Sequence, residues 1–186
     1  MPDFDPNSAE CFVYTFKDGL LSAVAHDLKI KVTRFALKVD ATTVEGRWDA
    51  RSLVVDAVMR EGREVANGLG QRDRDKIARN IREDVLSADR HPEIVFRSDT
   101  VTVLTGASGG NNTATIKGTL TLAGRSQPLS IEAHRDGDRW VAEVVLHQPD
   151  FGVKPYSALL GTLKIKPDVK VRVSLAAARL SLPGAS

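Results

Sequence analysis

Apolar and polar residues alternate with a period of two over most of this chain of 186 residues. Over residues 25–33 the even positions are apolar apart from His26, and lysines occupy two of the odd positions. This alternation is typical of an antiparallel strand with one buried and one solvated face. The apolar face changes phase after Thr33, which predicts a bulge or tight turn near Thr33 and Arg34.

The same alternation recurs in short segments along the whole chain. The predicted strands cover 10–16, 25–33 with its continuation at 35–39, 53–59, 93–104, 113–123, 128–134, 139–147, 162–165 and 169–175. Segments rich in Gly, Asn, Asp and Pro separate most of them, at 106–112, 123–128, 136–138 and 148–155. Eight or nine short strands joined by tight turns indicate an all-β sandwich or barrel.

One segment has a helical period instead. Over 69–86, Ile77, Ile81 and Val85 recur four residues apart among Arg, Asp and Glu residues. One narrow apolar stripe on a charged helix predicts a helix on the surface of the barrel or across one of its ends.

Composition and charge narrow the classes of partner. The 26 basic and 24 acidic residues give a net charge of +2, which offers no general reason to expect nucleic acid or an anionic membrane. No apolar stretch reaches the roughly 20 residues that a membrane-spanning helix needs. The first ten residues lack the basic and apolar regions of a signal peptide, so we expect a cytoplasmic protein.

The length favours a single domain over 1–186, with its core at about 10–176. Cys11 is the only cysteine, so no intrachain disulfide can form, and we expect a buried, inert thiol.

The sequence gives no positive sign of catalysis or metal binding. The four histidines are scattered without a metal-ligand spacing, and no phosphate-binding glycine loop occurs. The one Gly-x-Ser-x-Gly match, at 106–110, falls in a predicted turn between two strands and not between a strand and a helix, as a nucleophile elbow requires. We therefore expect no metal, no cofactor and no catalytic residue.

An antiparallel barrel of about eight strands encloses either a solid core or a cavity for one small ligand, and both alternatives stay open. Along each predicted strand, the positions that alternate with charged residues should face the interior. The residues at these positions are therefore the candidate ligand-binding residues. They are Phe12, Tyr14, His26, Leu28, Ile30, Phe35, Leu37, Ile94, Phe96, Ile116, Leu120, Leu122, Ile131, Trp140, Val144 and Leu146. His26 is either a hydrogen-bonded core histidine or, like the Tyr14 hydroxyl, a contact for a ligand head group.

Four short motifs, in order along the chain, resemble those of the YceI-like, polyisoprenoid-binding proteins. They are Ile94-x-Phe96-x-Ser98 within 86–101, the hairpin 116–132 with Gly118, Leu120, Thr121, Gly124 and Pro128, the residues HDL at 26–28, and the residues DFG at 150–152. The resemblance spans about residues 10–176.

The resemblance implies an all-β, lipocalin-like, extended antiparallel eight-stranded β-barrel with one surface α-helix. It also implies that the lumen binds an apolar small molecule, an isoprenoid, isoprenoid quinone or fatty-acid-like lipid, so that the protein acts as a carrier, store or sensor. Two alternatives stay open: a small enzyme acting on an isoprenoid-like substrate, and an interaction module without a ligand. A homodimer is also left open.

Overall fold

Strands make up most of the computed structural model, which describes residues 1–18, 26–65, 68–104, 112–158 and 163–180. The strands are β1 Asp3–Phe4, β2 Ala9–Thr15, β3 Asp27–Val32, β4 Phe35–Val39, β5 Val44–Asp49, β6 Leu53–Arg60, β7 Arg63–Val65, β8 Glu93–Leu104, β9 Thr113–Leu122, β10 Arg125–Asp136, β11 Arg139–His147, β12 Ser157–Ala158, β13 Leu163–Lys164 and β14 Asp168–Ala176. The helix α1, Gln71–Asn80, continues into a π-helical turn, Ile81–Val85. The 3₁₀ turns are Ala50–Ser52, Gln148–Phe151 and Ala177–Arg179. The predicted all-β fold with one helix is confirmed for these residues, whereas most of the predicted turn at 106–112 lies outside them.

Twelve of the strands form one sheet, in the order β1-β4-β5-β8-β9-β10-β11-β14-β2-β3-β6-β7. Every pairing in it is antiparallel. Strands β12 and β13 form a separate two-stranded sheet. The period-two alternation of the sequence therefore gives the sheet one apolar and one polar face.

Two bends bring the sheet round on itself. Only two residues separate β3 from β4, and the turn Ala50–Ser52 separates β5 from β6, while β3 pairs with β6 and β4 pairs with β5. Strands β3 and β4 together form one bent path, and β5 and β6 form another. Counted in this way, the ten strands other than β1 and β7 make eight paths. Because β5 also pairs with β8, and β3 with β2, the pairing runs through these eight paths as a ring. The ring passes through the bends, and β1 and β7 at the ends of the sheet order do not pair with each other.

Backbone hydrogen bonds continue across the bends. The Thr33 N–H donates to the Ser52 carbonyl oxygen at 3.2 Å, and the Asp49 N–H donates to the Arg34 carbonyl oxygen at 3.0 Å. The Arg34 N–H donates to Ser52 Oγ at 3.1 Å. The bulge or turn predicted from the change of phase near Thr33 and Arg34 is thus a bend across which hydrogen bonding between the strands continues.

The Asp49 carboxylate ties the two bends together. It accepts hydrogen bonds from the Arg34 guanidinium at 2.8 Å and from the Arg51 backbone N–H at 2.8 Å. Partial burial raises the pKa of this carboxyl, but the hydrogen bonds from Arg51 and Arg34 outweigh that effect and lower it from 3.8 to about 2.

Helix α1 lies against an edge of β6 that no strand covers. Strand β7 pairs only with Val58–Arg60, so the middle of β6 has one unpaired edge. The Arg74 guanidinium donates to the Asp56 carbonyl oxygen at 2.5 Å and to the Leu69 carbonyl oxygen at 3.2 Å. The helix predicted over 69–86 is confirmed, and a cationic side chain fastens it to the barrel.

We expect Asp49→Asn to lower the free energy of unfolding at pH 7 by about 1–2 kcal/mol, because charge-assisted hydrogen bonds are lost. The loss is no larger because solvent screens the exposed arginines. Since the folded pKa of about 2 lies below 3.8, the carboxylate's contribution is complete well above pH 3.8 and is lost as the pH falls toward 2. Urea unfolding at several pH values measures this difference.

The difference between the wild type and Asp49→Asn should therefore shrink between pH 4 and pH 2. Asp99 is an exposed carboxylate of β8 and serves as the control. Asp99→Asn should change the free energy of unfolding by less than about 0.5 kcal/mol. An Asp49→Asn deficit that is the same at pH 7 and pH 2 would show that the carboxylate charge does not stabilise the bends.

Candidate functional site

The ring of strands encloses an apolar cavity of about 670 Å³. Pockets that bind small ligands commonly measure about 300–1,000 Å³. All eight strand paths and α1 contribute side chains to its wall, and hydrocarbon groups make up most of it. The interior is therefore not a solid core of side chains.

Thirteen of the sixteen residues that parity placed on the inward face line this cavity. They are His26, Leu28, Ile30, Leu37, Ile94, Phe96, Ile116, Leu120, Leu122, Ile131, Trp140, Val144 and Leu146. Contact of these residues with a ligand stays a prediction.

Phe12 and Tyr14 do not line the cavity, which corrects their placement. They lie on the opposite face of β2, among lysines of the neighbouring strands. The Lys29 Nζ lies 4.0 Å from the centroid of the Phe12 ring, and the Lys170 Nζ lies 5.9 Å from that of Tyr14. These cation–π contacts let aromatic side chains occupy the outer face of the barrel.

The alternate residues of β2, Cys11, Val13 and Thr15, line the cavity instead. The sequence contained a signal for this orientation, because Glu10 has the same parity as Phe12. A charged residue in that register marks the outward face.

Phe35 is also absent from the cavity wall, although it is buried in the core. It is the first residue of β4 after the bend and pairs with Trp48 of β5. Parity placed it correctly in the interior, but of this strand pair it is Trp48 that lines the cavity.

Several wall residues were missed because a bulge reverses parity within β8. The register with β9 shifts between Ser98 and Thr100, so Val101 and Val103 face the cavity although Ile94 and Phe96 have the opposite parity. The odd positions of β14 also line the cavity and were not in the predicted inward set. Their alternation with Lys170 and Arg172 is the same signal that marks the inward face of β3.

Two glycines shape the wall at places where no Cβ fits. A Cβ at Gly46 would overlap Cη2 of Trp48, so the indole ring occupies the space that a larger residue would fill. A Cβ at Gly118 would overlap the Arg97 carbonyl oxygen of β8 and would also lie 2.8 Å from Cζ of Phe96, so this glycine lets the β8 backbone approach β9 closely.

Helix α1 and the turn after it close one side of the cavity. Ile77, Ile81 and Val85, the predicted stripe, lie on the wall and pack against the core. They are only partly buried. The segment is therefore a thin cover rather than part of the central core.

Polar side chains lie on the cavity wall near this helix. Asp73, Lys76 and Asn80 come from α1, and Tyr156 comes from the segment before β12. The Asn80 Nδ2 donates to the Tyr156 hydroxyl oxygen at 3.0 Å. This bond fastens the end of α1 to another segment of the wall.

Three polar atoms of the wall are buried and have no hydrogen-bond partner among the residues that the structure describes. They are Thr15 Oγ1, Trp48 Nε1 and Trp140 Nε1. Burial raises the pKa of the adjoining Cys11 thiol to about 12, and an interaction with the Trp48 indole opposes this rise without forming a hydrogen bond of good geometry. Cys11 is thus a neutral thiol at physiological pH.

Within the described ranges, no group of three His, Cys, Asp or Glu residues could hold a metal ion. In the same part of the chain, no helix has the length and apolar character that crossing a membrane requires.

A family model of the YceI-like domain matches residues 15–177, so this chain belongs to the YceI-like family. The resemblance seen in the sequence motifs is thereby confirmed. No curated protein matches the sequence.

Two solved structures share the fold. BcnA from Burkholderia cenocepacia is 15% identical, with 90% of this chain and 94% of that chain covered and a TM-score of 0.56. A polyisoprenoid binding domain from Saccharophagus degradans, implicated in plant cell wall breakdown, is 13% identical, with 94% and 97% covered and a TM-score of 0.59. At these identities the likeness shows the fold alone.

We expect Tyr156→Phe to loosen α1, because the mutation removes the hydrogen bond from Asn80 and a bond of this kind contributes about 1 kcal/mol. Amide hydrogen exchange over 71–85 should accelerate about fivefold, while exchange in β9 and β10 stays at the wild-type rate. Tyr14→Phe is the matched control, since Tyr14 is the other tyrosine and lies on the outer face. Unchanged exchange over 71–85 in Tyr156→Phe would show that the bond does not hold the helix.

Proposed function

We propose that this protein binds one apolar lipid, an isoprenoid or isoprenoid quinone, inside the barrel and serves as its carrier, store or sensor. The observation that carries the proposal is the cavity of about 670 Å³ with a hydrocarbon wall. Atoms lining an empty cavity lack packing partners on one side, so a ligand restores dispersion contacts. It also removes its own apolar surface from water, at roughly 25 cal/mol per Å².

The wall favours a long apolar molecule over a small polar one. The charged side chains that the described residues place on it are few: Asp40, Asp73 and Lys76, besides His26. Leucines, isoleucines and valines of β3, β9, β11 and β14 form continuous hydrocarbon between them. A relative of the same fold is a polyisoprenoid binding domain, which supports an isoprenoid chain as the ligand.

The proposal gives α1 the part of a cover over the bound lipid. Its apolar contacts come from the narrow stripe of Ile77, Ile81 and Val85, and Asn80 and Arg74 provide its polar fastening. Segments held by few buried contacts open locally at low cost in free energy. Lipid uptake and release would then pass through opening of this helix while the barrel stays folded.

Other sequence-based expectations stay predictions. They are the absence of catalysis, the cytoplasmic location and the lack of a nucleic-acid partner. The homodimer stays an open alternative. His26 as a head-group contact also stays a prediction; its side chain lies on the wall just before β3.

Neighbouring valines of β11 allow a matched test of the cavity. Val144 lines the cavity, whereas Val145 is 60% exposed on the other face. Val144→Trp should fill part of the cavity and lower lipid occupancy at least about fivefold, since overpacking commonly costs 1–3 kcal/mol. Val145→Trp should leave occupancy at the wild-type level. Native mass spectrometry of the purified protein measures occupancy, and solvent extraction identifies the lipid.

The wild type should carry an isoprenoid or related apolar lipid at up to one molecule per chain. Equal lipid occupancy in Val144→Trp and Val145→Trp, with both variants folded, would mean that the lipid binds elsewhere. Conversion of an added isoprenoid into a new compound would show that the protein is an enzyme and not a carrier. If the wild-type protein binds no lipid from a mixed extract, the interaction module without a ligand is the remaining function.

A further inference from the structure

The indole N–H of Trp140 is a buried donor without a partner. Trp140 is 5% exposed and lies on the cavity wall, and its Nε1 has no hydrogen-bond acceptor among the described residues. Leaving a buried donor unpaired costs about 1–3 kcal/mol, and few buried polar groups in folded proteins lack a partner. A group of this kind inside a ligand cavity indicates that the ligand supplies the acceptor.

The described residues beside Trp140 offer no acceptor to its indole N–H. Its strand partners are Leu175 of β14 and Arg135 of β10, whose guanidinium donates to the Gly137 carbonyl oxygen. The wall beside it is formed by Ala142 and Ala133, which pair with each other. Methyl, isobutyl and guanidinium groups cannot accept a hydrogen bond. Trp48 differs in that the Cys11 thiol, a weak acceptor, adjoins its indole, although the two form no hydrogen bond of good geometry.

The chemistry of the donor limits the acceptor to a neutral oxygen. An indole donates one hydrogen bond and carries no charge, so it cannot compensate a buried phosphate. Phosphate sites usually contain arginines, lysines or several backbone donors, and Lys76 is the one lysine or arginine that the described residues place on the wall. Lys76 also shares α1 with Asp73.

We propose that Trp140 is a ligand-binding residue whose indole N–H holds a carbonyl, ether or hydroxyl oxygen of the lipid inside the barrel. This inference rests on the proposed function and deepens it. The protein then selects neutral, oxygen-bearing lipids over hydrocarbons of the same length and over phosphorylated isoprenoids, and the oxygen-bearing group lies within the cavity beside β11.

The two tryptophans of the chain, Trp48 and Trp140, allow a direct test. A ¹H–¹⁵N spectrum of the full chain has two indole signals, which the variants Trp48→Phe and Trp140→Phe assign. The probes are an isoprenoid methyl ketone, the hydrocarbon in which a CH₂ replaces its carbonyl, and an isoprenyl pyrophosphate of similar length. The ketone should move the Trp140 indole proton downfield, and the hydrocarbon should not.

Affinities give a second measurement. In the wild type the ketone should bind about 5–10-fold more tightly than the hydrocarbon, since a neutral hydrogen bond contributes about 1–1.5 kcal/mol. Trp140→Phe keeps an aromatic ring and should abolish this preference. The readout is the ratio of the ketone affinity to the hydrocarbon affinity, because a loss of packing at this residue weakens both ligands alike.

An unshifted Trp140 signal with bound ketone would overturn the inference, as would a ketone preference that survives in Trp140→Phe. Tighter binding of the pyrophosphate than of the ketone would also overturn it. In each case the proposed function would still stand. Failure of ketone and hydrocarbon alike to bind would instead contradict the proposed function. If Trp140→Phe does not fold, the inference is tested by the wild-type spectrum alone. The Trp140 signal is then assigned as the one indole signal that remains in Trp48→Phe.

Discussion

Hydrogen bonding across the two bends is the constraint on which the cavity depends. Strands β3 and β4 turn together with β5 and β6, and their backbone groups stay paired at Thr33–Ser52 and Arg34–Asp49. If only one strand bent, buried backbone groups would lose their partners, which is costly. Because both bend together, β5 reaches β8 while β3 still pairs with β2, and the ring surrounds a space. Asp49 stabilises this point with a carboxylate that stays ionised above pH 4.

The contents of the ring follow from side-chain size at a few inward positions. Inward-facing residues alternate along every strand, and large residues at all of them would tend to fill so narrow a barrel. Here Gly46 leaves room for the Trp48 ring, Gly118 lets the β8 backbone approach closely, and alanines occupy inward positions on β9, β10 and β11. The result is a wall of hydrocarbon around open space, with α1 completing it where β6 has no strand neighbour.

The sequence predicted much of this, within limits set by local patterning. Strands β8 and β11 match the predicted bounds, because charged residues alternate strongly with apolar ones there. Strand β5 was missed because Gly46 takes the inward position between Val44 and Trp48 and so interrupts the apolar alternation. The inward set failed on β2, where aromatic residues lie outward under lysines, and beyond Ser98, where a bulge reverses parity. The open cavity did not follow from patterning, since it depends on how side chains from distant strands pack.

The most direct measurement is a crystal structure of the protein purified together with its lipid. The account predicts one elongated, continuous region of ligand density inside the ring of strands. That density should contact the hydrocarbon wall of β9 and β11, with the inner side of α1 over it. Lipid density confined to the outer surface, with side chains collapsed into a filled interior, would contradict the central claim that this barrel is built around a ligand.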